Sequence, residues 1–405
     1  MDISVPASPI PKDFFLLDPN IIFLNHGSFG ATPRAVFDKY QWWQRELERQ
    51  PVEFLGRRFT GLMREARAAL AAYVHTDADN LVYVPNATTA INIVARSVAT
   101  FGGTPLLNPG DEILTTDHEY GAMDRTWRFI CRKTGAVYKQ QPIPVPVTTA
   151  ENFVETFWAG VTPRTRVVFL SHITSPTALI FPIKEICRRA RNAGLLSIID
   201  GAHALGQIPL DLDDIGADFY AANAHKWLCA PKGAAFLYAR REAQHLVEPL
   251  VVSWGYEADK PSASRFIDEQ EWTGTRDIAA YLAVPEAIRF CEEHHWDKVR
   301  LRCHEIAQYA RERIHDLVGA TGLAPLPHLC PDSTEWYMQM VTLPLPPCDA
   351  GAFGRTPLQA RLYDEYHIEV PIVVWHNQPY VRVSIQAYNS REDVERLVEA
   401  LQKLL

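Results

Sequence analysis

Three groups of residues in this chain have the types and settings to do chemistry: Lys226, Asp200, and the run Asn86-Ala87-Thr88-Thr89. Asp200 directly follows the apolar run 195–199 (LLSII), and Lys226 comes shortly after the run 219–222 (FYAA). A carboxylate at the end of a buried strand needs a cationic or hydrogen-bonding partner, either a bound cation or a structural arginine. A lysine near a low-dielectric site has a depressed pKa and forms a Schiff base with a carbonyl, although most lysines are solvated surface groups. The run Asn86–Thr89 opens a helical pattern whose apolar positions are Ala90, Ile91, Val94 and Val98. Asn86 or Thr88 can cap that helix. A helix start with two hydroxyls and free N–H groups also suits an anion such as a phosphate.

The elements that must position these groups are legible in the hydrophobic pattern. Short apolar runs read as buried strands at 81–84 (LVYV), 112–116 (EILTT), 167–170 (VVFL), 195–199, 219–222 and 234–238 (AAFLY). Amphipathic stretches at about 89–99, 123–133 and 183–193 read as the helices between them. Continuous apolar strands alternating with helices predict a mostly parallel sheet covered on both faces, an α/β doubly wound domain. Ligands of such sheets bind beyond the carboxyl ends of the strands. Five predicted strand ends deliver polar groups to that rim: Asn86–Thr89, Asp117-His118, Ser171–Ser175, Asp200–His203 and Asn223–Lys226. An aspartate and a lysine at adjacent strand ends, opposite a phosphate site, match the needs of pyridoxal 5′-phosphate. That group requires an amine for its aldehyde, a partner for its pyridinium and a phosphate cradle.

Composition narrows the class. The 405 residues suggest about two to three domains. With 47% hydrophobic and 22% charged residues the chain is an ordinary globular one. A net charge of −8 provides no global basic field for nucleic acid or an anionic membrane. No apolar run is long enough to span a bilayer, and the proline-rich, acidic start does not read as a secretory signal. Seven scattered cysteines without a CxxC pair point to free thiols and a cytoplasmic location. A zinc site built on Asp200, His203 and His225 lacks ligand spacing of the HExxH or CxxC kind, so no metal is expected. After about residue 280 the texture changes. A helical stretch at 283–317 precedes proline-rich segments, strands at 338–343 and 380–386, and helices at 357–366 and 391–404. The expected organisation is an N-terminal arm (1–22), a large domain (23–280) and a smaller α+β domain (281–405).

The segments NATTAINIV, TTDHEYGAM, SHITSPTALIFPI, IIDGAHALGQIPLDL, DFYAANAHKWLCAPKGAAFL and VRVSIQAYNSREDVERLV together resemble the class V aminotransferase family. LNHGSFGATPRAVFD, with the HEYGA and SHITSPTA forms of the motifs, looks most like its isopenicillin N epimerase-like branch, which also holds C–S lyases. The resemblance covers about residues 22–397. It implies the fold-type-I architecture of pyridoxal-phosphate enzymes, with a mostly parallel seven-stranded sheet. It implies that Lys226 holds the cofactor as a Schiff base, that Asp200 pairs with its ring nitrogen and that His118 stacks over the ring. Ser175 and His203 are implied near the ring hydroxyl. Thr89, Asn223 and His225 are implied at the phosphate, with Thr88 as the alternative. Thr275 would reach the phosphate from a partner subunit, which implies a homodimer. Arg382 would clamp the substrate carboxylate, and Asn25 and His26 would line the substrate side.

In one place the chain departs from part of that family. Cysteine desulfurases carry a persulfide-forming cysteine shortly before the matching Arg-x-Ser, whereas residues 373–379 here read VVWHNQP. The nearest upstream cysteine is Cys348. Without a thiolate there, sulfur is not accepted in the usual way, so a persulfide-forming desulfurase is not expected. The remaining chemistry begins with loss of the Cα proton, with Lys226 as base. Reprotonation on the opposite face gives an epimer and needs a second acid, for which Tyr120, His26 and His376 are the candidates. Expulsion of a β-thiolate gives C–S lysis, and protonation on the cofactor side gives transamination. The shared core does not choose among the three.

Overall fold

The structure is a computed structural model that describes residues 10–100, 106–259, 261–320, 326–347 and 356–405. The first nine residues of the expected arm and Cys348 lie outside the described residues. The strands in chain order are β1 (Ile22–Phe23), β2 (Leu81–Val84), β3 (Glu112–Thr116), β4 (Val137–Gln141), β5 (Thr165–Ser171), β6 (Leu196–Asp200), β7 (Phe219–Asn223), β8 (Ala235–Ala239), β9 (Met340–Pro344), β10 (Ile368–Glu369), β11 (Ile372–Trp375) and β12 (Gln378–Ser384). Seven of them form one sheet in the order β2-β8-β7-β6-β5-β3-β4. Only β8 runs antiparallel to its neighbours, and the rest are parallel. This is the fold-type-I architecture that the resemblance implies.

Strands β2 and β5 to β8 are buried almost throughout, because helices cover both faces of the sheet. Alternate residues serve opposite faces. Leu81 and Tyr83 join one apolar cluster, and Val82 and Val84 join the other with the helices Ala87–Thr100 and Gly121–Thr134. Strand β4 has no counterpart in the sequence reading. Its residues VYKQQ are half exposed at the sheet edge, where polar side chains guard unpaired backbone, so the apolar signal is missing.

The helical stretch expected at 283–317 is two helices, Val284–Glu293 and Trp296–Ala320. The break falls at His295, whose φ is +50°. It turns the buried Trp296 inward, where its indole N–H donates to the Gly206 carbonyl at 3.0 Å. A helix at Phe59–Tyr73, also unanticipated, packs on the helix Val284–Glu293. A helix at Arg34–Arg49 precedes it in the chain. A second, antiparallel sheet has the order β11-β12-β9. Its hairpin closes through His376 and Asn377, both at positive φ, as a two-residue turn matched to strand twist requires. Strand β1 pairs in parallel with β10, Ile22 opposite Ile368, which carries the N-terminal segment to the C-terminal part of the chain. No helix of the described residues is long and apolar enough to cross a membrane.

Candidate active site

Strands β2, β3, β5, β6 and β7 end on the same rim of the large sheet, and their polar groups meet there. Lys226 leaves β7 in a turn closed by the Cys229 N–H on the Lys226 carbonyl at 3.0 Å. Two glycines press chain against this turn. A Cβ on Gly30, whose φ is +70°, would stand 2.0 Å from the His225 carbonyl oxygen. One on Gly206, at φ +89°, would stand 2.5 Å from the Trp227 backbone. Neither site tolerates a side chain, and the lysine is clamped from both sides.

The Lys226 amine lies 3.2 Å from His203 Nε2, and the Trp227 indole N–H donates to His203 Nδ1 at 3.2 Å. Burial and the Arg382 charge push the Lys226 pKa down to about 7, against the pull of Asp200. Burial first, then the charges of Lys226 and Arg382, holds His203 well below the usual imidazole range. Asp200 is buried, and burial raises its pKa against the Ala202 N–H and the Lys226 charge. The one hydrogen bond to its carboxylate among the described residues is from that N–H, at 3.0 Å. A buried carboxylate with so little compensation calls for a further cation or donor, and a protonated pyridine nitrogen meets that need.

At the anion end, Asn86 is the cap. Its Oδ1 accepts the Thr89 N–H at 2.8 Å and the Thr89 hydroxyl at 3.1 Å. Thr89 therefore spends its donor inside the helix turn. Thr88, whose hydroxyl has no such bond among the described residues, is the hydroxyl left for a phosphate. Asn223 Oδ1 accepts the Ala87 N–H at 2.9 Å, and its amide N–H groups have no acceptor among the described residues. His225 ties Nδ1 to the Ala234 carbonyl at 3.1 Å and keeps Nε2. Amine, carboxylate and anion cradle together fit pyridoxal phosphate.

Arg382 of β12 reaches the same place from the smaller sheet. Its Nη1 donates to the Ser175 carbonyl at 2.7 Å and Ser175 Oγ at 3.0 Å, and Nη2 to Ser28 Oγ at 3.1 Å. Its Nε is buried without a partner among the described residues, a donor suited to a carboxylate. Burial lowers its pKa to about 10 against the opposing influence of Tyr120. Ser28 in turn donates to Asn25 Oδ1, and Asn25 Nδ2 donates to Glu369 at 2.9 Å. Asn25 thus supports Arg382 through Ser28.

Two expectations need correction. His118 is fully buried, with Nδ1 on the Thr177 hydroxyl at 2.8 Å and Nε2 on the Ile143 carbonyl at 2.9 Å. Its ring packs on Trp375 at 4.5 Å and Phe181 at 5.5 Å, so no face is open for a cofactor. The aromatic ring left open at this strand end is that of Tyr120, 45% exposed. His26 does not line the substrate side either. It is buried beneath the lysine, Nδ1 on Tyr388 and Nε2 on the Lys226 carbonyl, both at 3.0 Å, and burial drops its pKa to about 3. His376 is exposed at the hairpin turn and sits 3.1 Å from Asp117. Thr275 is exposed on the wall of a separate cavity of about 840 Å³, with Trp254 and Trp272.

Glu119, Trp227 and Ser28 were missed as site residues, although each adjoins a motif that the sequence reading used. The buried Glu119 carboxylate accepts the Thr116 hydroxyl at 2.7 Å and both the N–H and hydroxyl of Ser171. Burial raises its pKa to about 8, with Asp200 adding to the rise.

The family model for class V aminotransferases matches residues 23–335. An isopenicillin N epimerase of Amycolatopsis lactamdurans is 38% identical, covering 96% of each chain. A putative L-cysteine desulfhydrase of Oryza sativa subsp. japonica is 32% identical over 99% of this chain and 86% of its own length. Among solved structures, a lysine-to-alanine mutant of C-DES with glycine covalently linked to its PLP cofactor has a TM-score of 0.75 at 21% identity, covering 95% of this chain and 97% of that one.

Proposed function

The chain belongs to the class V aminotransferase family and its cofactor is pyridoxal 5′-phosphate; from that premise we propose that it is an amino-acid epimerase of the isopenicillin N epimerase-like kind. The bound cofactor supplies an aldehyde for the substrate amine and an electron sink for the charge left at Cα. Lys226, with its pKa near 7, takes the Cα proton as a neutral amine. Asp200 keeps the ring nitrogen protonated. Thr88, Asn223 and His225 hold the phosphate, and Arg382 holds the substrate carboxylate through its unpartnered Nε.

One observation carries the epimerase reading. Inversion needs a second proton donor. Of the three candidates, His26 is buried with its ring nitrogens bonded, and His376 is engaged with Asp117. Tyr120 stands open, within electrostatic reach of Arg382. We assign the second proton to the Tyr120 hydroxyl. The 38% identity to a named isopenicillin N epimerase supports the same reading. A C–S β-lyase is the second reading, favoured by the full-length similarity to a named cysteine desulfhydrase. Transamination stands third. A persulfide-forming desulfurase is disfavoured because the hairpin before Arg382 carries no cysteine.

A homodimer is part of this proposal. Thr275, exposed on its own subunit, would complete the phosphate cradle of the partner.

The test is a deuterium-exchange screen. PLP-loaded protein is incubated in D₂O with L-amino acids, cysteine S-conjugates and an aminoadipyl peptide, followed by mass spectrometry and chiral analysis. Cα deuterium with inversion and an intact side chain is the expected result. Pyruvate, ammonium and a released thiol would establish the lyase instead. In the expected case, Tyr120→Phe retains Cα proton loss but forms the inverted product far more slowly.

A further inference from the structure

Trp227 follows Lys226 in sequence, yet its side chain turns to a different task. The indole is fully buried and its N–H meets His203 Nδ1 at 3.2 Å. An indole nitrogen only donates, so Nδ1 must present a lone pair. A neutral imidazole with a bare Nδ1 carries its proton on Nε2. That nitrogen faces Lys226 Nζ at 3.2 Å. An N–H aimed at the amine is satisfied only if the amine offers its own lone pair. The other tautomer would set two N–H groups against each other at Trp227 and leave His203 Nε2 to accept from an ammonium.

We propose that Trp227 is a positioning residue that acts through His203, fixing the imidazole proton on Nε2 so that it donates toward the Lys226 nitrogen. The tautomer is independent of ligand chemistry; its consequence rests on the reading of Lys226 as the cofactor lysine. The charged and titratable groups facing the pair are Asp200 at the end of β6, His225 beside Lys226 and Arg382 from β12. All are unchanged in a Trp227→Phe variant, which keeps an aromatic ring and removes the N–H.

Nitrogen-15 NMR of histidine-labelled, PLP-loaded protein reads the tautomer directly. The expected result is His203 protonated on Nε2 in the wild type and shifted toward Nδ1 in Trp227→Phe. In the same variant the pH midpoint of the bound cofactor's visible absorbance should rise by about half a unit to one unit, the worth of one hydrogen bond. His203→Gln separates positioning from packing: in that background Trp227→Phe should move the midpoint no further. A wild-type His203 protonated on Nδ1 would overturn the proposal even if the variant fails to fold. So would an unmoved tautomer and midpoint in the variant, or an equal shift with and without His203. Lys226→Ala tests the lysine assignment separately, because a borohydride-reducible linkage of the cofactor to the protein that survives there contradicts that assignment and not the tautomer.

Discussion

The Trp375 indole N–H donates to the Asp117 carbonyl at 2.9 Å, so the tip of the β11–β12 hairpin is tied to the end of β3. The hairpin also carries Arg382, and the Trp375 ring packs on His118. Trp375→Phe keeps the ring contact and loses the bond, at about 1 kcal/mol. Because Arg382 is the proposed holder of the substrate carboxylate, the loss should appear as a KM raised about fivefold with kcat little changed. Steady-state kinetics checks it; a fall in kcat at constant KM would contradict this coupling.

The two threonines at the start of helix Ala87–Thr100 should behave differently. Thr89 bonds Asn86 within the turn, so Thr89→Val should cost roughly 1 kcal/mol of stability and little cofactor affinity. Thr88→Val should weaken PLP binding by about tenfold, a charge-assisted hydrogen bond's worth, with a small change in melting temperature. Equilibrium titration of stripped protein with PLP, alongside thermal melts, separates the two. Equal loss of affinity in both variants would return Thr89 to the phosphate.

How far the sequence led depended on the kind of signal. Strands β2 and β5 to β8 are apolar along their length, and Asp200, Asn223 and Lys226 follow from where those runs stop. Strand β4 was invisible because an edge strand need not be apolar. The split at His295 was invisible because a single left-handed residue leaves no mark on a long charged helix. At the site, strand ends gave the correct rim but not the rotation of side chains upon it. His118 and Tyr120 stand two residues apart past the same strand. Which of them faces the opening is decided by Thr177, the Ile143 carbonyl and Trp375, all distant in sequence. His26 was misplaced for the same reason, since Tyr388, which holds its ring, is 362 residues away.

The depressed pKa of Lys226 gives a pH dependence with a definite sign. A lysine brought from its usual 10.5 to about 7 is an ammonium below pH 7 and a free amine above it. Capture of PLP by stripped protein needs the free amine. Its rate should fall about tenfold per pH unit below 7 and level off above. Arg382→Leu removes a charge that lowers this pKa and should move the midpoint up. Asp200→Asn removes the carboxylate that raises it and should move the midpoint down. Stopped-flow absorbance across pH 5–9 reads all three; shifts of the same sign in both variants would refute this account of the amine.

The proposed dimer would cover an exposed apolar face. Val52, Val252 and Trp254 are 69%, 68% and 82% exposed. Val52 and Trp254 line the cavity that also holds Phe59, Trp272 and Thr275. Monomeric proteins rarely leave such a patch uncovered, and a second copy of the chain would cover it. Trp254→Asp should therefore weaken self-association by about 2 kcal/mol or more, read as a monomer shift in sedimentation. A mixing experiment tests whether the sites are shared. Thr275→Val protein should bind PLP poorly, and Lys226→Ala protein should form no Schiff-base band. Mixed dimers should regain that band at one site each, where an intact Lys226 meets the partner's intact Thr275. Dimers that form without regaining it would leave the association standing and remove Thr275 from the cradle.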